Sequence, residues 1–579
     1  MEIGYMTSTI CTVMVCLAIV GFAVALQAQP IQPAPACGAK VEQLPQLTLL
    51  SVPTGRLAPG ETTCFGLVVE QGEFIRISVE AEGVWGYLRA RVLEPRQHNP
   101  LQVTWAWSFF PSLPLAFEAA TTGLFIVELS IPPAVPFKDT VPFRIQVLDR
   151  LSARTQAARL VDLRRDPRTA WLRQNAVPIR SIDPQDEDYS DLQFLREDLR
   201  HVRVVLLGEG DHGGGSDFKA KTRLVKFLHQ QMGFDVLAFE SGLFTTTRAW
   251  AALQTDAEPR EAFLKGVIGI WGQSDQVQPL IRYIHISARN DRPLELTGFD
   301  SQFSGTARNS FLPAMRQVLR QHGIDTPLAD ENSAPARILA GILDGRFAQE
   351  REDLPSAAEQ ARSMEALRAA AVEVERTVRS REGSFWAQVL RSSAVQLGLL
   401  LENLRDPDEE ATAYRRGRDR QMAENLIWLA NTYFRDRKII VWVHTFHAMR
   451  NPQATTSGRV QGFTMGHGLW EALGPESFAI GFTSYRGSTH WVTLPDGFDQ
   501  DVVPDQHPSF EFEELMDATG HELAYVNLRE GRARHQWLGG SFVASLLYLM
   551  PQQATWSDVL DAVFFIRTQE PSRRVGGVR

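Results

Sequence analysis

The stretch Val202-Arg203-Val204-Val205-Leu206-Leu207-Gly208-Glu209-Gly210-Asp211-His212-Gly213 decides the reading of this chain. An apolar, β-branched run ends abruptly in Gly-Glu-x-x-His-Gly. The run predicts a strand buried on both faces of a parallel sheet, and the glycines predict a sharp turn out of it. Ligands of open α/β sheets bind beyond the carboxyl ends of the strands. A carboxylate, Glu209, and an imidazole, His212, stand together at that position.

Further apolar strand candidates lie at residues 236–239, 294–297, 439–443 and 478–482, with a last one at 559–566. Helical patterns occupy 219–231 and 276–290. This alternation predicts an α/β domain over 201–575 with a largely parallel sheet. Residues 308–434 break the alternation. They are Ala/Leu/Arg/Glu-rich and predict a helical insertion packed over the sheet. The strand ends then carry the chemistry. Beyond Glu209 and His212, the second strand ends in Phe239-Glu240-Ser241, the third leads to Gly298-Phe299-Asp300, and the fourth leads to His444-Thr445-Phe446-His447. Any one of these has a structural explanation, as a helix cap or a packed histidine. If the strands share one sheet, these groups converge on one edge, where buried charge is costly unless paired.

Several reaction classes lack their signatures. There is no Gly-x-Ser-x-Gly elbow, no Walker-type phosphate loop and no dinucleotide fingerprint. A histidine that activates water, polarised by carboxylates, is the simplest use of these groups. A divalent metal held by His444, His447, Glu209 and Glu240 is the alternative. The spacing matches no named zinc motif.

The 579 residues exceed one ordinary domain, and 44% hydrophobic with 22% charged residues is a globular composition. The net charge of -9 gives no basic footprint for nucleic acid or an anionic membrane. Residues 10–26 form an uncharged apolar run followed by small residues, which predicts a signal peptide over 1–28. Glu2 as the only charge before it keeps an uncleaved N-terminal anchor as the alternative. The expected location is therefore secreted or periplasmic, with no other membrane association. Residues 29–40 read as a linker. Cys37 and Cys64 are the two cysteines beyond the leader, and one pair in an exported chain suggests a disulfide. Residues 41–150 show short strands separated by Pro and Gly, at 64–69, 74–79, 88–92, 124–129 and 143–147, which predict a small all-β sandwich. Residues 151–200 read as a charged connector with short helical pieces.

The motif Leu207-Gly208-Glu209-Gly210-Asp211-His212-Gly213 resembles the Gly-Glu-x-x-His-Gly of the erythromycin esterase-like hydrolases. The resemblance extends in order through Phe239-Glu240, Gly298-Phe299-Asp300, Arg418-Asp419-x-x-Met422-Ala423-x-Asn425, His444-x-x-His447 and Met465-Gly466, from about residue 177 to 568. It implies hydrolysis of a small-molecule ester or lactone by activated water; metal dependence varies within such families, so no cofactor is expected as a requirement and a divalent metal stays open. It implies His212 as general base, Glu209 and Glu240 as its orienting carboxylates, and His444 and His447 as the groups that polarise the carbonyl or assist the leaving group. Lys221 stands where the family has a basic residue, and Lys221 and Asp300 are expected to bind substrate. Ser216 stands where the family has an acidic residue, with Asp217 one place later. The sandwich resembles the bacterial pre-peptidase C-terminal type, on Gly55-Arg56-Leu57-x-Pro59-Gly60-Glu61 and Gln71-Gly72-Glu73-Phe74-Ile75-Arg76. The family name extends to macrolide antibiotic resistance, but the substrate is left open. A metal-dependent hydrolase and a non-catalytic extracellular ligand-binding protein are the competing readings.

Overall fold

The computed structural model describes Cys37 and residues 43–81, 88–94, 100–106, 112–133, 140–456, 462–494, 499–502 and 510–576. The leader and anchor readings lie outside the described residues. Among the described residues no helix is long and apolar enough to cross a membrane.

The N-terminal strands are β1 (Thr54–Leu57), β2 (Thr62–Val69), β3 (Phe74–Ala81), β4 (Leu88–Leu93), β5 (Pro100–Ala106), β6 (Ser112–Glu118), β7 (Gly123–Ser130) and β8 (Val141–Leu151). They form two antiparallel sheets, β1-β8-β3-β6 and β2-β7-β4-β5. The alternation in β3 and β8 has its structural meaning here. Ile75, Ile77, Ile145 and Val147 face inward and meet Leu67, Val69, Phe125 and Val127 of the other sheet. A disulfide joins Cys37 to Cys64 in β2, with Cα atoms 6.1 Å apart.

The segment read as a connector does more than connect. It folds into the helices Ala153–Arg165 and Pro167–Asn175, and then β9 (Val177–Pro178) joins the large sheet. The following strands are β10 (Val204–Glu209), β11 (Phe234–Gly242), β12 (Glu295–Asp300), β13 (Lys438–His444), β14 (Ser477–His490), β15 (Asp499–Val502), β16 (Leu523–Asn527), β17 (Phe542–Leu547), β18 (Met550–Ala554) and β19 (Ala562–Gln569). The large sheet runs β12-β11-β13-β10-β14-β19-β16-β9, with β15 paired to β14. From β12 to β19 neighbouring strands are parallel, whereas β16, β9 and β15 pair antiparallel. The strand expected at the chain's end, β19, is thus an interior member. Strand β16, flanked by charged and polar residues, is an addition to the expected set.

Alternation along these apolar strands divides the protein into two cores. Val204, Leu206, Val236, Ala238, Ile439 and Val441 face a core shared with the helices of the insertion, including Trp386, Leu397 and Leu426. Val205, Leu207, Leu237, Phe239, Ile440 and Trp442 face the other core, against Phe218, Leu224 and Leu228 of the helix Gly215–Met232. Burial on both faces is why these strands read as continuous apolar runs. The insertion is built on three long helices, Ala357–Thr377, Arg381–Arg405 and Pro407–Trp428.

The disulfide closes a loop of chain within the sandwich. Cys64→Ala is expected to lower unfolding stability by roughly 2–4 kcal/mol in a urea titration, through the greater freedom of the unfolded chain. Equal midpoints and slopes for the two proteins would show that the link carries no stability.

Candidate active site

Glu209 ends the central strand β10 in register with His444 of β13. Its side chain is fully buried. Oε1 accepts from Trp271 Nε1 at 3.0 Å and from His212 Nδ1 at 3.0 Å. Oε2 accepts from Nζ of Lys221, whose pKa burial pushes well below the ordinary lysine range. A carboxylate only accepts, so the proton of the neutral His212 ring sits on Nδ1 and the Nε2 lone pair is left available. Burial lowers the His212 imidazole to about 4, against the opposing pull of Glu240. His212 is therefore neutral at pH 7. Trp271 and Trp491 stand edge-on to it at 5.5 and 5.1 Å between ring centres. Asp211 accepts from Gly213 N at 2.7 Å and from Trp491 Nε1 at 3.0 Å, which ties the turn to that indole. Gly213 accepts the amide of His490 at 3.1 Å, and a Cβ on Gly213 would lie 2.6 Å from the His490 backbone.

Glu240, at the end of β11, organises a second cluster. Its Oε2 accepts from His444 N at 3.1 Å, and its Oε1 lies 3.2 Å from His447 Nε2 and 3.1 Å from Arg418 Nη2. His447 Nδ1 donates to Asp419 Oδ1 at 2.8 Å. Arg418 grips Asp300 through Nε and Nη2, the latter at 2.6 Å. Two cations thus face three carboxylates. Burial opposes the charge on His447, but Asp419 and Glu240 overcome it and raise the imidazole to about 10. Burial likewise works against the charge of Glu240, yet His447 and Arg418 hold its carboxyl well below the usual range.

His444 differs from its neighbour. Nδ1 accepts from Phe446 N at 3.0 Å as the N-cap of the turn Thr445–Ala448, and Nε2 lies 3.1 Å from Gly210 O, to which it donates. Burial keeps it neutral, well below the ordinary imidazole range. Both of its nitrogens are committed to backbone, which leaves it a scaffold role. Among the described residues no three His, Cys, Asp or Glu side chains form a group able to hold a metal ion. The set His444, His447, Glu209 and Glu240 does not fit one, because their donor atoms are engaged with one another, with backbone and with Arg418 or Lys221.

The two expected substrate contacts are buried and paired within the site. Lys221 is fully buried, 4.1 Å from the Trp442 ring centre and paired to Glu209. It lies on the buried side of Glu209 because the helix Gly215–Met232 packs its first turns beneath the strand ends. Asp300 is buried and occupied by Arg418. The cation beside the histidines is instead Arg418, from the last long helix of the insertion. The motif Arg418-Asp419 contained that information, but nothing in its helical pattern showed which face would turn to the sheet. Trp271 and Trp491 gave no sequence signal. Asp217 accepts from Gly210 N at 3.1 Å and from Gln569 Nε2 at 2.8 Å, so it fastens the turn, and burial raises its carboxyl to about 7.

The erythromycin esterase family model matches residues 229–567, more than half of the chain. The chain belongs to the erythromycin esterase family. The match holds Glu240, Asp300, Arg418, Asp419, His444 and His447, and begins beyond Glu209 and His212. A Bacillus subtilis (strain 168) protein named "Putative hydrolase YbfO" is 27% identical over 420 residues, covering 69% of this chain and 91% of the relative. A Bacillus cereus protein of known structure superposes with a TM-score of 0.57 at 17% identity, over 70% of this chain and 98% of that one. An erythromycin esterase mutant, solved in its open conformation, gives a TM-score of 0.50 at 17% identity, over 67% of this chain and 96% of that one. These structural likenesses, at 17% identity, show the shared fold.

Lys221→Met should cost ~3–5 kcal/mol of stability by leaving the Glu209 charge buried without its partner; a chemical unfolding curve unchanged from wild type would contradict the pairing. The two histidines also set opposite pH slopes. His447, raised above its unfolded value, contributes stability that is full below about pH 6.5 and is lost as pH rises through about 10. His212, lowered, makes the protein lose stability as pH falls from about 6.5 through 4. Replacing His447 by Gln should flatten the alkaline slope and leave the acid slope in place, as read from unfolding curves across pH.

Proposed function

We propose that this chain is an ester or lactone hydrolase in which His212 activates water and His447 with Arg418 receives the developing negative charge. The observation that carries this reading is the contrasting placement of two buried imidazoles: His212 donates Nδ1–H to Glu209 Oε1 at 3.0 Å among indoles, whereas His447 is clasped between Asp419 at 2.8 Å and Glu240 at 3.2 Å, settings that push the first down to about 4 and the second up to about 10. A pair of groups pushed apart in this way supplies a base and an acid at the same pH. A surface or packing role for these histidines requires neither state.

The steps follow from the available atoms. His212 Nε2 takes a proton from water as its oxygen attacks the carbonyl carbon. The imidazolium formed is stabilised by Glu209 through Nδ1–H, as in a nucleophile-activating dyad. The tetrahedral oxyanion develops near His447 and Arg418 and takes over N–H groups that Glu240 accepts in the resting protein, while Asp419 and Asp300 keep the two cations in place. The carbon–oxygen bond to the alcohol then breaks, and the leaving oxygen takes a proton from His212. Acid and alcohol are released and His212 returns to its neutral form. No metal enters these steps. A macrolide lactone is one candidate within the substrate class.

We also propose that the protein works outside the cytoplasm, secreted or in a periplasm. The Cys37–Cys64 disulfide supports an oxidising compartment.

The test is hydrolysis of a panel of small-molecule esters and lactones, a macrolide included. His212→Ala should lose at least about a hundredfold in kcat while keeping the wild-type circular dichroism spectrum. Activity should survive a chelator. The kcat/KM profile should fall below pH near 4 and above pH near 10, following the two histidines of the free enzyme. Wild-type turnover by His212→Ala would rule out the assignment.

A further inference from the structure

Between the sandwich and the reaction centre lies the β17–β18 hairpin, whose tip is Leu547-Tyr548-Leu549-Met550. Leu547 pairs with Met550, so the turn has two central residues. Tyr548 has φ 54° and Leu549 has φ 52°. A two-residue turn with positive φ at both positions is ordinarily made with Asn and Gly. Bulky residues in the left-handed region are uncommon and cluster where the surroundings over-determine them.

Three contacts show what determines this one. The Tyr548 ring lies over His444, with ring centres 4.3 Å apart and planes inclined by 31°. Beyond it, His444 is 4.9 Å from His212, so three rings stand in series from the hairpin to the base. Leu549 covers Gly210, in the turn between Glu209 and His212; a Cβ there would lie 3.0 Å from Leu549 Cδ2. Gly210 is also the residue whose carbonyl accepts from His444. On the far side, Met550 is buried in the hydrophobic core of the sandwich, and Tyr548 packs against that core. The strand leading to the tip is fixed by Glu513, which accepts from Ser545 N at 3.0 Å and from Thr483 Oγ1 at 2.6 Å.

We propose that Tyr548 is a positioning residue of the reaction centre, and that the β-sandwich holds it there by gripping the hairpin tip through Met550. The sandwich is then a working part of the site: it presses Tyr548 onto His444 and Leu549 onto Gly210, and so fixes the turn that presents His212. The importance of that turn rests on the proposed role of His212, but its geometry can be tested without any turnover.

The measurement is the titration of the His212 imidazole by NMR in the full chain with labelled histidine, alongside melting curves. The groups that face His212 are Glu209, Glu240, His444, His447, Arg418 and the carboxylate of Asp211. Tyr548→Phe keeps the ring and should titrate like wild type. Tyr548→Gly removes the ring and relieves the left-handed strain at that residue. It should raise the His212 midpoint by a pH unit or more toward 6.5, whatever the balance of lost packing and relieved strain does to the melting temperature. A residue of purely structural importance would leave the titration alone. Met550→Ala should raise the midpoint in the same direction. An unmoved His212 titration in Tyr548→Gly would overturn the positioning role. An unmoved titration in Met550→Ala alone would overturn the part assigned to the sandwich. Loss of hydrolysis in the panel above would bear on the proposed function and on neither of these readings.

Discussion

The structure depends on one buried carboxylate. Glu209 sits at the carboxyl end of the central strand, inside the protein, where an isolated charge is unsustainable. Its environment answers both oxygens: Trp271 and His212 on one, Lys221 on the other. Those partners come from three separate elements. The helix after the glycines supplies Lys221, the turn supplies His212, and a short helix beyond β11 supplies Trp271. Satisfying Glu209 therefore fixes the distance between the helix Gly215–Met232 and the sheet, and fixes which nitrogen of His212 is protonated. Fold and tautomer have the same cause.

A second consequence is the separation of charge across the sheet edge. Around His212 the protein places indoles and a neutral imidazole, which favour the uncharged ring. Around His447 it places Asp419 and Glu240, which favour the cation. The helical insertion is essential to this division, since Arg418 and Asp419 both belong to it. Its packing over the sheet is more than a cover: it delivers half of the charged cluster. The sandwich contributes from the opposite direction through the hairpin tip. Two segments distant in sequence thus complete a site whose anchors lie on the parallel strands.

The parallel strands and their polar ends were legible in the sequence because their signal is local. Val204 to Leu207, Val236 to Phe239 and Ile439 to Val443 are apolar without interruption, and Glu209, Glu240, Asp300, His444 and His447 follow from their positions. What could not be read was direction and pairing. Lys221 sits on a helix whose residues are buried on nearly every side, so no amphipathic face showed that it turns toward Glu209 and away from a substrate. His444 and His447 are three residues apart and look alike in sequence. They differ because one caps a turn and the other meets Asp419, a contact across 28 positions of chain. Tyr548 was invisible for a different reason: its turn lacks the Asn and Gly that mark such hairpins. Strand β16 escaped notice because five residues paired antiparallel between β19 and the two-residue β9 carry little pattern.

The most direct test of this account is the protonation of the two imidazoles at pH 7, read from nitrogen chemical shifts of the labelled full chain. The account requires His212 to be neutral with its proton on Nδ1, and His447 to carry protons on both nitrogens. A neutral His447, or a His212 that is charged or protonated only on Nε2, would contradict it.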